Sequence, residues 1–121
     1  MELRLELRGP DGLSERLAPD SLLAVAREVM VSELFAVAQD ARALCSVQTG
    51  TLRDSIAVRV QESGAAGEVV ACAPYAACVE LGTAGRAAHP FLYPAFAARR
   101  TDMTERIARA VIRRAESGGE G

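Results

Sequence analysis

The stretch that most limits how this chain can fold runs from Pro74 to Pro94, PYAACVELGTAGRAAHPFLYP. Four of the five aromatic residues, Tyr75, Phe91, Tyr93 and Phe96, fall between its start and two residues past its end. Large rings dominate the burial energy of a small core. The segment is therefore expected to anchor the core. Between Gly82 and Pro90 the residues are Thr, Ala, Gly, Arg, Ala, Ala and His, without apolar periodicity. Such a run cannot hold a regular element against solvent and predicts an exposed elbow.

With 121 residues the chain fits one domain, able to bury a core without disulfide or metal support. We expect that domain over residues 1–116, with 117–121, Ser-Gly-Gly-Glu-Gly, as a disordered tail that has nothing to bury. The formal net charge of -2 offers no basic field for nucleic acid. All 14 basic residues are Arg. MELRLELRG at the start lacks the apolar core of a signal peptide, and no apolar run approaches the roughly 20 residues that cross a bilayer. The expectation is a reduced, cytosolic chain with no membrane association.

Leu3, Leu5 and Leu7 alternate with charged residues, a half-buried strand. Gly9-Pro10-Asp11-Gly12 predicts a turn, with a short helical piece through Leu13 and Leu17 before Pro19. From Ser21 to about Cys45 the apolar positions recur at helical spacing and predict one long helix, capped by Asp20 or Ser21. Thr49 to Ser55 reads as a compact connector in which Gly50 supplies a backbone geometry closed to other residues and Thr49 or Thr51 caps a single turn. Ile56, Val58 and Val60 begin a second strand, residues 63–67 a hairpin loop, and Glu68–Ala73 a third strand. Pro94 suits the first turn of a closing helix whose apolar stripe runs from Phe96 to Val111, opposite a face rich in Arg.

Chemistry-bearing groups are sparse: a single His, no paired carboxylates in a motif and no Gly-rich phosphate loop. Cys45 or Cys78 with His89 would be the only nucleophile and base on offer. Intervals of 27, 6 and 11 residues separate Cys45, Cys72, Cys78 and His89, with no C-x2-C pair to favour zinc. The three cysteines read as small core residues. The expectation is no enzyme, no catalytic or metal residues and no cofactor. Glu80 either caps nearby backbone N–H groups, pairs with Arg53, or serves a subunit interface.

In order, Thr49-Gly50, Leu52-Arg53, Ser55-Ile56, Pro74-Tyr75-Ala76, Val79-Glu80, Gly82-Thr83, Pro90-Phe91-Leu92 and Pro94-Ala95-Phe96 resemble the head-tail joining, tail-completion or minor tail proteins of long-tailed bacteriophages. Two departures stand out: Ser46-Val47-Gln48 replaces a Pro and an acidic residue, and Cys78 replaces an aromatic. The resemblance implies an α+β fold, a small antiparallel sheet packed against a long N-terminal helix and a C-terminal helix. It also implies a homo-oligomeric ring at the head–tail junction of a phage, prophage or gene-transfer particle, assembled in the bacterial cytoplasm. Its partners would be head-completion, tail-terminator or tail-tube proteins, with DNA passing through the ring without specific binding. Thr49, Gly50, Leu52, Arg53, Tyr75, Glu80, Gly82, Pro90, Phe91 and Pro94 would be the structural motif, and Thr83, Arg86 and His89 in the elbow the assembly contacts. The alternative is a nucleic-acid-binding accessory protein carried by the arginine-rich last helix.

Overall fold

The computed structural model describes residues 3–8, 20–45, 50–61 and 66–118. Its elements, in chain order, are β1 (Leu3–Arg8), α1 (Asp20–Leu44), α2 (Gly50–Asp54), β2 (Ile56–Val60), β3 (Ala66–Ala71), α3 (Ala76–Leu81) and α4 (Leu92–Gly118). The fold is the expected α+β arrangement. The expected turn at Gly9–Gly12, the helical piece at Leu13–Leu17, Thr49, the middle of the hairpin loop and residues 119–121 lie outside the described residues, as do the side chains of Asp20 and Ser21.

The three strands order as β1-β3-β2, so β3 is central and antiparallel to both neighbours. Alternation divides β3 between two faces, as a period of two requires. Val69 and Ala71 join the core, whereas Val70 is fully buried on the other side, at the register position between Arg4 and Ala57.

Helix α1 lies where sheet and α4 both need cover. Met30, Leu34, Val37, Ala38 and Ala41 are buried along it, at the three- and four-residue intervals that put side chains on one helix face. Gly67 of β3 is where helix and sheet come closest: a Cβ there would stand 2.6 Å from Leu34 Cδ1 and 3.2 Å from the Arg59 carbonyl oxygen. In the last turn of α1, Arg42 favours the negative end of the helix dipole. Its Nη2 donates to the Ile56 carbonyl at 2.7 Å and ties α1 to the start of β2.

Helix α4 returns antiparallel to α1, as two ion pairs demonstrate. Arg99 Nε donates to Asp40 Oδ2 at 2.5 Å. Seven residues on, Arg106 meets Glu33, seven residues back along α1, through Nε to Oε1 and through Nη2 to Oε2 at 2.9 Å. Leu92, Ala95, Phe96 and Met103 are the buried stripe of α4.

Two local expectations change, and one helix not read from the sequence appears. Residues 76–81 are helical, because Ala76 and Glu80, one turn apart, both face inward. α4 starts at Leu92 and so holds Pro94 in its first turn, as expected, but it continues through Ser117 and Gly118. Gly50 opens α2 without a left-handed backbone and with room for a Cβ; among the described residues only Gly82 has positive φ.

Candidate functional site

The segment from α3 to the first turn of α4 is built around one carboxylate. A helix leaves its first four N–H groups without intrahelical partners. For α4 these belong to Phe91, Leu92, Tyr93 and position 94. Glu80, only 6 % exposed, reaches across from α3. Its Oε1 accepts from the N–H of Phe91 at 3.0 Å and of Leu92 at 2.8 Å, and its Oε2 from that of Tyr93 at 3.1 Å. The fourth residue is Pro94, which has no N–H to satisfy. One carboxylate and one proline therefore account for the whole helix start, and the negative charge sits at the favourable end of the dipole. Of the uses considered for Glu80, capping is the one seen. Arg53 instead lies 3.7 Å from Asp54.

The elbow leaves this base at Gly82. There φ is 81° and ψ 170°, a conformation essentially confined to glycine. A Cβ would also collide with the Ala88 nitrogen at 2.8 Å. The Thr83 N–H donates to the Arg86 carbonyl at 2.9 Å and the Arg86 N–H returns to Thr83 at 3.2 Å, closing a tight turn over Ala84-Gly85. On the return limb His89 N–H donates to the Val79 carbonyl at 2.8 Å. Every residue from Thr83 to Pro90 is exposed. Thr83, Arg86 and His89 thus stand together on one short projection with both feet tied down.

Beside the feet are two apolar side chains that core-centred reasoning misplaces. Leu81 is 73 % exposed and Tyr93 61 %. Tyr75 is exposed too, so only Phe91 and Phe96 of the aromatic block are core residues. The signal available in sequence was the hydroxyl, since a Tyr ring with a polar tip suits a half-wet surface and a Phe does not. Leu81 carried no such mark. Of the other motif residues, Leu52 is buried, whereas Arg53 and Pro90 face solvent.

Cys45 is buried, Cys72 half-buried and Cys78 exposed, so the reading of all three as core residues fails for Cys78. Burial pushes the Cys45 thiol above its ordinary pKa; Arg53 opposes that rise and Glu80 adds to it. The hydrogen bonds to Asp40 and Glu33 raise the pKa of Arg99 and Arg106. Among the described residues no group of three or more His, Cys, Asp or Glu side chains is placed to hold a metal, and no helix is long and apolar enough to cross a membrane.

A family model described as "Bacteriophage HK97-gp10, putative tail-component" matches residues 11–82, more than half of the chain. The chain belongs to the HK97-gp10-like family. The matched span takes in α1, the connector, the β2–β3 hairpin and α3, and it ends at Gly82, where the elbow begins. Neither a curated protein nor a solved structure shows a significant match. Family membership gives the protein a structural role as a phage tail component, with the virion as its place and other phage structural proteins as its company.

Proposed function

We propose that the protein is a subunit of a homo-oligomeric ring at the head–tail junction of a phage or phage-like particle, where it completes the tail and joins it to the head. The observation that carries this reading is the elbow: an exposed projection on a base stapled by Glu80, Gly82 and the His89–Val79 hydrogen bond. A projection held this firmly, with a guanidinium at its turn and Leu81 and Tyr93 bare beside it, fits a surface completed by a neighbour. Copies meeting head to tail close into a ring when the rotation between them returns to its start. Thr83, Arg86 and His89 then meet the adjacent copy or the next component of the tail, a head-completion, tail-terminator or tail-tube protein. DNA passes through the opening without specific contact, and the role is structural, not enzymatic.

Three of the six arginines of α4 already face carboxylates, which counts against a nucleic-acid-binding role. Arg99 and Arg106 are held by Asp40 and Glu33, and Arg109 lies 3.8 Å from Glu105. Electron microscopy of particles carrying a gold-labelled copy tests the assignment. Label is expected at the head-proximal end of the tail; label at the baseplate, or none on particles, overturns it. DNA affinity that falls steeply as salt rises would favour the accessory role instead.

A further inference from the structure

Among the described residues no strand pairs with the outer edge of β2, and its sequence selects what can close it. The Cys72 N–H donates to Ser55 and the Gln61 N–H to Ala66, so the odd-numbered positions of β2 are the ones that bond to β3. Peptide groups alternate in direction along a strand. The N–H and C=O groups of Val58 and Val60 therefore point away from the sheet, while at the start of the strand the Ile56 carbonyl is taken by Arg42. The Val58 and Val60 side chains pack against the core but are only partly buried. The same parity applies across β3. Positions 71, 69 and 67 bond to positions 3, 5 and 7 of β1, which leaves the peptide groups of Arg4, Glu6 and Arg8 pointing outward from the opposite edge.

From these two edges we infer that β2 pairs in parallel with β1 of a second copy, making one sheet continuous across the contact. The inference needs only that copies meet, whatever their place in the particle. In a parallel pair an outward-pointing residue bonds to the two residues flanking its opposite number. Val58 then bonds to positions 4 and 6 of the second copy and lies opposite position 5. Ile56, Val58 and Val60 match the leucine positions 3, 5 and 7, apolar row beside apolar row. On the other face Arg59, which already meets Glu68 of its own chain at 3.9 Å, comes opposite position 6, a Glu of opposite charge.

Antiparallel pairing of the same edges fails this test. Residues directly opposite in an antiparallel pair share their bonding direction, so Val58 would face Arg4, Glu6 or Arg8 and the apolar row would meet the charged one. Two β1 edges centred on Glu6 would oppose like charges. The parallel sense is also the one a simple rotation of copies supplies, because β1 and β2, both antiparallel to β3, run the same way within one sheet. Such a head-to-tail contact leaves a free edge at each end and propagates until it closes.

The test is a disulfide that only the second copy can complete. Within one chain, positions 6 and 59 are separated by β3, about 9.5 Å or two strand spacings, beyond the roughly 7 Å that a disulfide can bridge. Glu6→Cys and Arg59→Cys are combined in a chain whose Cys72 and Cys78 are replaced by Ser. On oxidation a reducible ladder of dimers, trimers and higher multimers is expected, and neither single variant should give it. A product limited to dimers would indicate β2 meeting β2 about a two-fold and overturn the inference; so would a chain that stays monomeric and uncrosslinked at high concentration. Val58→Pro gives a second reading independent of the thiols. It removes an outward N–H and no bond within the sheet. Its melting temperature should stay near that of the parent while the concentration needed for association, read by sedimentation, rises about tenfold or more. Association unchanged in Val58→Pro would likewise refute the contact.

Discussion

Glu80 shows how much one side chain can settle. Its two oxygens serve three N–H groups, two of them buried. Glu80→Ala strands these donors, each at a desolvation cost of about 1–3 kcal/mol, so unfolding by urea should show a loss of about 3 kcal/mol or more. Glu80→Gln keeps one carbonyl oxygen but surrenders the charge-assisted bonds and turns an amide donor toward other donors. Its loss should be smaller than that of Ala but still about 1 kcal/mol. If Glu80→Ala melts like the parent, the cap does not hold α4. Sequence alone brought Glu80 as far as capping, because a carboxylate between Val79 and Leu81 needs a partner. It could not show which N–H groups lay within reach, since the donors sit 11 to 13 residues further along the chain and meet Glu80 only through the elbow. Gly82 was legible as part of a turn, whereas the freedom assigned to Gly50 was not needed, because a glycine that opens a helical turn looks the same in sequence as one that bends the chain backwards.

Among elements, α1 and β2 were readable and α3 was not. α1 spans seven turns with its apolar positions in phase, and β2 alternates cleanly; each pattern has enough repeats to exclude the other. The six residues of α3 contain too few turns to establish a period, and their helical form depends on Ala76 and Glu80 being drawn inward together. The contact between α1 and the sheet was equally hidden, because it rests on what Gly67 lacks. Gly67→Ala places a methyl group against Leu34 and the Arg59 carbonyl, and the helix must retreat or Leu34 must leave its rotamer. Overpacking of this kind costs about 1–3 kcal/mol. The measurement is the urea midpoint of Gly67→Ala beside that of Gly67→Ala with Leu34→Val, which returns part of the space. A double variant no more stable than the sum of the separate losses would show that the close approach is not the cause.

At the scale of the whole molecule, the fold and the elbow answer to different demands. The core lies between the sheet, α1 and α4, and no elbow side chain takes part in it. Arg86→Glu should therefore leave the melting temperature unchanged while it weakens ring formation or attachment to the tail, which a thermal melt and an assembly assay separate. A large fall in melting temperature with assembly intact would reverse that assignment. The feet of the elbow are fixed from outside it: Glu80 holds the start of α4, and the Val79 carbonyl holds the last residue before Pro90. What lies between is consequently a cassette. If the elbow is the docking element proposed above, exchanging it should change which neighbour the protein meets and leave both helices in place, so the elbow of one tail protein can be grafted onto the base of another.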